Sequence, residues 1–89
     1  MWLVAYDISD DKTRRRVAVA LGAVGWRVQK SVFVVELRAD GVRALVARVA
    51  ALVEPQTDRV DFVPLPMSSL EGWRSLGGAP PSWARWVCV

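Results

Sequence analysis

Two stretches of this chain place apolar residues three and four positions apart, and short apolar runs too brief for a helix lie before, between and after them. That change of period restricts the fold more than any other feature. The first run, Met1 to Tyr6 (MWLVAY), reads as a central strand covered on both faces, and it stops abruptly at Asp7. Behind it, Ser9-Asp10-Asp11-Lys12 supplies the short oxygen-bearing side chains of a helix cap and the acidic first turn that a helix dipole favours. From Thr13 onward, Val17, Ala20, Leu21 and Val24 make one buried stripe, and Gly22 and Gly25 weaken the helix near its end. The pattern predicts a helix from about Asp11 to Val24.

Trp26 to Leu37 (WRVQKSVFVVEL) is dense in β-branched and aromatic residues. It is compatible with one long strand, and equally with a hairpin broken at Gln29-Lys30-Ser31. Asp40 is placed to cap a second helix carrying Val42, Leu45, Val46, Val49, Leu52 and Val53, which Pro55 closes. Asp58 to Leu65 alternates weakly as a strand, and Pro64 and Pro66 mark it as an edge or a strand end. Ser68 and Glu71 have the spacing of a capping box for a short helix holding Leu70, Trp73 and Leu76. If the middle segment splits, the order β-α-β-β-α-β is ferredoxin-like, an α+β fold with a four-stranded antiparallel sheet and two helices on one face. We expect this domain to occupy residues 1–78. Gly77-Gly78-Ala79-Pro80-Pro81 reads as a linker leading into a tail, 79–89, which carries two tryptophans, is too apolar to be left in water and is expected to pack on its own or on a partner protomer.

A chain of 89 residues buries only about 60–65% of the surface its unfolded form exposes. Its single cysteine, Cys88, excludes an internal disulfide and reads as a small hydrophobe, and with no histidine there are too few ligands for a structural zinc. Oligomerisation is the remaining source of burial, and a second copy of the chain is the expected cover for the other sheet face. The missing histidine also removes imidazole general bases and Ser-His-Asp triads, so any chemistry must run on carboxylates, guanidinium groups or a metal held by oxygens. Ten of the twelve cations are arginine, the net charge is +3 and the pI is near 9.8. Because guanidinium contacts phosphate bidentately where an ammonium cannot, this bias points to phosphodiester more than to a membrane surface. No apolar stretch reaches the ~18–20 residues of a membrane span, and the first residues lack the plan of a signal peptide. The expected location is the cytoplasm.

The segments YDISDDKTRRRV and RVQKSVFVVEL, in register along a chain of this size, resemble the small CRISPR-associated Cas2 family from Met1 to about Leu65. The resemblance implies a ferredoxin-like homodimer, a metal-dependent nuclease activity (endoribonuclease or endonuclease), and a role with the Cas1 integrase in acquiring new spacers. The family's aspartate after the first strand falls on Asp7, its first-helix arginines on Arg14 and Arg16, its arginine before the glutamine on Arg27, and its Ser-Val-Phe on Ser31, Val32 and Phe33. Lys30 stands where family members commonly carry an aromatic, which removes stacking and keeps attraction for phosphate.

Asp7, at a strand end, is the candidate catalytic residue and Mg²⁺ ligand. From the residues alone a strand-ending or capping role is preferred, and the resemblance reverses that preference. Mg²⁺ takes one or two protein carboxylates plus waters and substrate phosphates, so two copies of Asp7 across a dimer axis suffice. Asp10 and Asp11 read as cap and first-turn charges. Arg14, Arg15 and Arg16 spread over about 200° of a helix at ~100° per residue, with Arg14 near the buried edge and the other two toward solvent. An ordinary solvated basic face would explain them, yet with Arg27, Lys30 and Ser31 they make a candidate surface for double-stranded DNA or single-stranded RNA. Ser31 has no base to make it a nucleophile. Phe33, Trp83 and Trp86 are the expected dimer contacts. The competing readings are a non-catalytic nucleic-acid-binding module of the same fold, a toxin-type ribonuclease, and a protein-interaction domain that uses its apolar tail.

Overall fold

The structure, a computed structural model, describes residues 1–77 apart from the side chain of Met67. The last residue of the expected domain and the tail with Trp83 and Trp86 lie outside the described residues. The elements are β1 (Trp2–Asp7), α1 (Asp11–Gly22), β2 (Gly25–Gln29), β3 (Val32–Val35), α2 (Ala39–Leu52), β4 (Arg59–Pro64) and α3 (Met67–Glu71). The sheet order is β2-β3-β1-β4 with every neighbour antiparallel, so the middle segment is a hairpin and the βαβ units are split as in ferredoxin-like folds. β4 is an edge strand, and Pro64 sits at its last position opposite Trp2, where a missing N–H costs little.

Side chains alternate across a strand, and the pairings Val4 with Phe33 and Val4 with Phe62 set the parity of the whole sheet. Val4, Tyr6, Phe33 and Val35 turn toward the helices and meet Val17 and Leu21 of α1 and Leu45 and Val49 of α2. On the opposite face Val34 packs against Leu70 of α3, ringed by Met1, Trp26, Val28, Leu65 and Trp73. Part of the second face, for which a second copy is the expected cover, is therefore covered from within the chain by α3 and its neighbours. The cover is anchored by the Leu65 N–H, which donates to the Met1 carbonyl at 2.8 Å and carries β4 past the start of β1 before α3 turns over β3.

Several local expectations are corrected. Helix α1 stops at Gly22, two residues early. Arg38, not Asp40, holds the N-cap position of α2; Asp40 lies in the first turn and its Oδ1 accepts from the Gly41 N–H at 3.0 Å. The capping box at Ser68 does not form, because Pro66, with its extended backbone (φ −67°, ψ 153°), already occupies the N-cap and Ser68 is inside the helix. Between β2 and β3 the register shifts at Val28, which bulges between the pairs Arg27 with Phe33 and Gln29 with Val32. Gly25 is required by contact: a Cβ there would overlap the Val34 carbonyl oxygen and lie 2.8 Å from Val35 Cα. Among the described residues no helix is long and apolar enough to cross a membrane.

Candidate nucleic-acid interface

At the end of β1 lies a cleft of about 460 Å³ whose rim carries Asp7, Arg14, Arg15, Arg27, Lys30 and Ser31. Three pieces of local structure bring these residues together. β1 delivers Asp7 as its last residue, exposed, directly after the buried Tyr6 and directly before the buried Ile8. Tyr6 is the hinge pin of the site: its N–H donates to the Ser31 carbonyl at 3.0 Å and its hydroxyl to the Lys30 carbonyl at 3.1 Å. The β2–β3 turn, which holds Lys30 and Ser31, is thereby docked beside Asp7.

The third piece is the start of α1. The Asp10 side chain accepts from the Thr13 N–H at 2.8 Å, and that backbone hydrogen bond lowers its carboxyl pKa from the ordinary value of 3.8. Arg14 ties the preceding loop down, donating from Nη1 to the Ile8 carbonyl at 3.0 Å and from Nη2 to the Asp11 carboxylate. Much of its guanidinium is thus committed to the loop. Arg15, one residue on, is exposed and makes no ion pair among the described residues; the same holds for Arg27 and Lys30. Arg27 lies over the Phe33 ring, 5.1 Å from its centroid, which supports the stem of the guanidinium from below.

Phe33 itself is 2% exposed and stacks beside Tyr6 at 6.3 Å between centroids. Its expected role as a dimer contact is corrected: the parity of β3 turns it into the core of its own chain. Arg16 does not line the cleft and lies around the helix, between α1 and α2. Arg59, not singled out from the sequence, stands directly opposite Asp7 in the β1–β4 register, and its Nε donates to Asp61 Oδ2 at 2.9 Å. No sequence signal nearby betrays that pairing, since it depends on the register of strands more than fifty residues apart.

Asp7 is the sole carboxylate on the cleft, and its side chain makes no hydrogen bond or ion pair among the described residues. Nor, among those residues, is there any group of three His, Cys, Asp or Glu side chains placed to hold a metal. Such a donor set fits a hard cation that keeps its waters and takes phosphate oxygens, and it does not fit a caged transition metal. Chemically the cleft offers one unneutralised carboxylate facing three unneutralised cations, an arrangement suited to a phosphodiester with a divalent cation on it.

The family model described as CRISPR associated protein Cas2 matches residues 1–71. The chain is 40% identical over 63 residues to a curated protein of Rhodospirillum rubrum named CRISPR-associated endoribonuclease Cas2 4, and it covers 51% of that protein's length, about half. It is 32% identical over 84 residues to CRISPR-associated endoribonuclease Cas2 3 of Synechocystis, spanning 91% of this chain and 87% of the relative. The crystal structure of Streptococcus pyogenes Cas2 superposes with a TM-score of 0.80 at 27% identity, over 85% of this chain and 98% of that one. A hypothetical protein of Thermus thermophilus superposes at 0.76 with 32% identity, over 90% and 92% of the two chains. The family match runs from the residue before β1 to the last residue of α3, so it takes in every strand and helix of the described residues and every described residue of the cleft. This chain belongs to the CRISPR-associated Cas2 family.

Proposed function

We propose that the protein is a homodimeric Mg²⁺-dependent endoribonuclease or endonuclease that grips the phosphodiester backbone in the Asp7 cleft. We propose further that it joins the Cas1 integrase in spacer acquisition in the cytoplasm. The observation that carries this reading is the unpaired Asp7 carboxylate set among Arg15, Arg27 and Lys30. The name endoribonuclease borne by the curated relatives supports the reaction type. Asp7 would hold the ion, and a second Asp7 from a symmetric partner would complete the one or two carboxylates that Mg²⁺ takes. When bound, the ion supplies a polarised scissile phosphate and an activated water. Arg15, Arg27 and Lys30 bind and orient the backbone, Ser31 offers a hydroxyl to a phosphate oxygen, and Arg14 and Tyr6 hold the two loops in place. Dimerisation has its own support in the sheet face away from the helices, where Val63, 45% exposed, pairs with the half-buried Leu3.

A scaffold reading, in which the same cations hold duplex DNA without cutting it, is favoured by a cleft with one carboxylate among its described lining residues and by a Ser31 without a base. A metal titration of cleavage on RNA and on duplex DNA, with Asp7→Ala beside the native chain, separates the two. The nuclease reading expects Asp7→Ala to lose about a hundredfold or more, the scale of one positioned catalytic group. Equal cutting by both proteins would sink it, while salt-sensitive binding with no cleavage by either would leave the scaffold standing. Light scattering that found only monomers would remove the dimer.

A further inference from the structure

A second cationic surface lies around the helix from the cleft. In the outer seam between α1 and α2, a groove of about 330 Å³ is lined by Lys12, Arg15, Arg16 and Val19 of α1 and by Arg48 and Leu52 of α2. The four cations are exposed, and none makes an ion pair among the described residues. Nor does the groove contain a carboxylate. The acids nearest in sequence are engaged elsewhere, Asp10 on the Thr13 N–H, Asp11 on Arg14 and Glu54 on the Gln56 N–H. Val19, 71% exposed, lies among these charges and carries none of its own. Four like charges on one seam repel each other and are relieved only by an anion or by salt.

Two observations choose the anion. Arg15 lines both the cleft and the seam, so the two surfaces form one track that leaves Asp7 and passes over α1. Three of the four cations are guanidinium groups, which match phosphate oxygens bidentately. The helix layer also lies on the opposite side of the sheet from Val34 and Leu70, so pairing of two copies through that other face leaves the seam open. We infer that the α1–α2 seam is a second phosphodiester-binding surface, continuous with the cleft through Arg15, that holds the part of a polynucleotide running beyond the Asp7 site, with Lys12 and Arg48 as its contacts on either wall. This rests on the reading of the cleft as a phosphodiester site.

The test measures fluorescence anisotropy of labelled 30-residue RNA, 30-base-pair DNA and a trinucleotide, without divalent metal, over a range of salt. The full chain is compared with the double variant Lys12→Gln/Arg48→Gln and with Arg27→Gln in the cleft. Each lost backbone contact lowers the slope of log K against log salt by about 0.7 for single strands and 0.9 for duplex. The double variant is expected to lose about twice that on whichever long probe follows the seam, and nothing on the trinucleotide. Arg48→Gln alone, with an unchanged melting curve, should lose about half as much as the pair. Slopes that stay native in the seam variants while Arg27→Gln lowers them would overturn the seam and keep the cleft. If Arg27→Gln is as inert as the rest, the reading of the cleft falls as well. Labelled poly-glutamate is measured alongside, and loss of its binding in the double variant without any change for polynucleotide would overturn the inference in favour of an acidic protein partner.

Discussion

The starts of the two long helices are built differently, although each has an acidic residue in its first turn. Before α1, Asp10 closes on the Thr13 N–H, and Arg14 reaches back to the Ile8 carbonyl and across to Asp11. Before α2, Arg38 makes no side-chain cap, and the Val42 N–H is met by the Arg38 carbonyl alone. Both helices bury a three-residue stripe against the same sheet, so burial does not account for the contrast. Position does. The first helix begins at the cleft and its entry loop follows Asp7, whereas the second begins at the other end of the sheet beside Gly25 and Val35, where no candidate site residue lies. Side-chain hydrogen bonds are concentrated where a loop must hold a carboxylate and an arginine in a fixed relation. At the far end, backbone packing suffices.

The largest effect should come from that far end, where stability rests on close approach. In Gly25→Ala the new methyl would meet the Val34 carbonyl oxygen, so β2 must move away from β3. A loss of about 3 kcal/mol is expected, the upper range for overpacking. The contrast predicts that cleavage per folded molecule is kept at low temperature, and urea melts beside single-turnover assays read both quantities. Cleavage lost at native stability would mean that the two ends are not independent.

A smaller effect tests the cleft end. Replacing Arg14 by Met removes the bond to the Ile8 carbonyl and the pairing with Asp11, which at a group this exposed should cost about 1 kcal/mol. Arg43, exposed near the start of α2 and without an ion pair among the described residues, should tolerate Met within about 0.5 kcal/mol. Only the first change should also weaken RNA or DNA binding beyond the loss of one phosphate contact, because the loop that follows Asp7 loosens with it. Equal effects in melting and binding would show that Arg14 is merely one more solvated cation.

The element order and both long helices were legible because apolar spacing is a strong signal over a dozen residues, as Val17, Ala20 and Leu21 or Val42, Leu45 and Val49 show. The hairpin stayed open because Gln29-Lys30-Ser31 has none of the Gly or Asn-Gly chemistry that announces a tight turn. Its bend is fixed instead by Tyr6, a partner 24 residues away. The side that Phe33 faces is hidden in the sequence for a related reason. In Val32-Phe33-Val34-Val35 both faces are apolar, so composition carries no parity, and a one-residue slip exchanges core for outer face. Asp10 caps its helix, whereas Asp40 and Ser68, whose oxygen chemistry is as good, do not. What differs is how the chain enters the helix, and at Ser68 the preceding Pro66 had already decided it. Among the candidate site residues, Asp7, Arg14, Arg15, Arg27, Lys30 and Ser31 line one cleft, and Arg16 does not. The tethering of Arg14 to a carbonyl six residues back and the stance of Arg59 opposite Asp7 needed the folded register.

The smallest expected effect follows from the titration of the one side-chain cap. Asp10 has its carboxyl pKa lowered in the folded chain by the Thr13 N–H, so the folded state binds this proton less readily than the unfolded state. Where the folded pKa is depressed, the contribution to stability is complete above the unfolded carboxyl range near 4 and disappears as pH falls through the lower folded value. Neutral and mildly acidic solutions should therefore melt alike on this account, with the loss confined to more acid conditions. Asp10→Asn keeps an oxygen for the Thr13 N–H and removes the charge and its titration. The native chain should exceed this variant in melting temperature at pH 7, with the margin narrowing as Asp10 takes up its proton. Amide exchange locates the effect, once corrected for the intrinsic dependence of exchange on pH. Protection of the Thr13 N–H should fall on acidification in the native chain and hold steady in the variant, while the Val42 N–H, met by a backbone carbonyl, should not tell the two proteins apart. A margin that widened toward acid would reverse the sign of the linkage and show that the cap does not depend on the carboxylate charge.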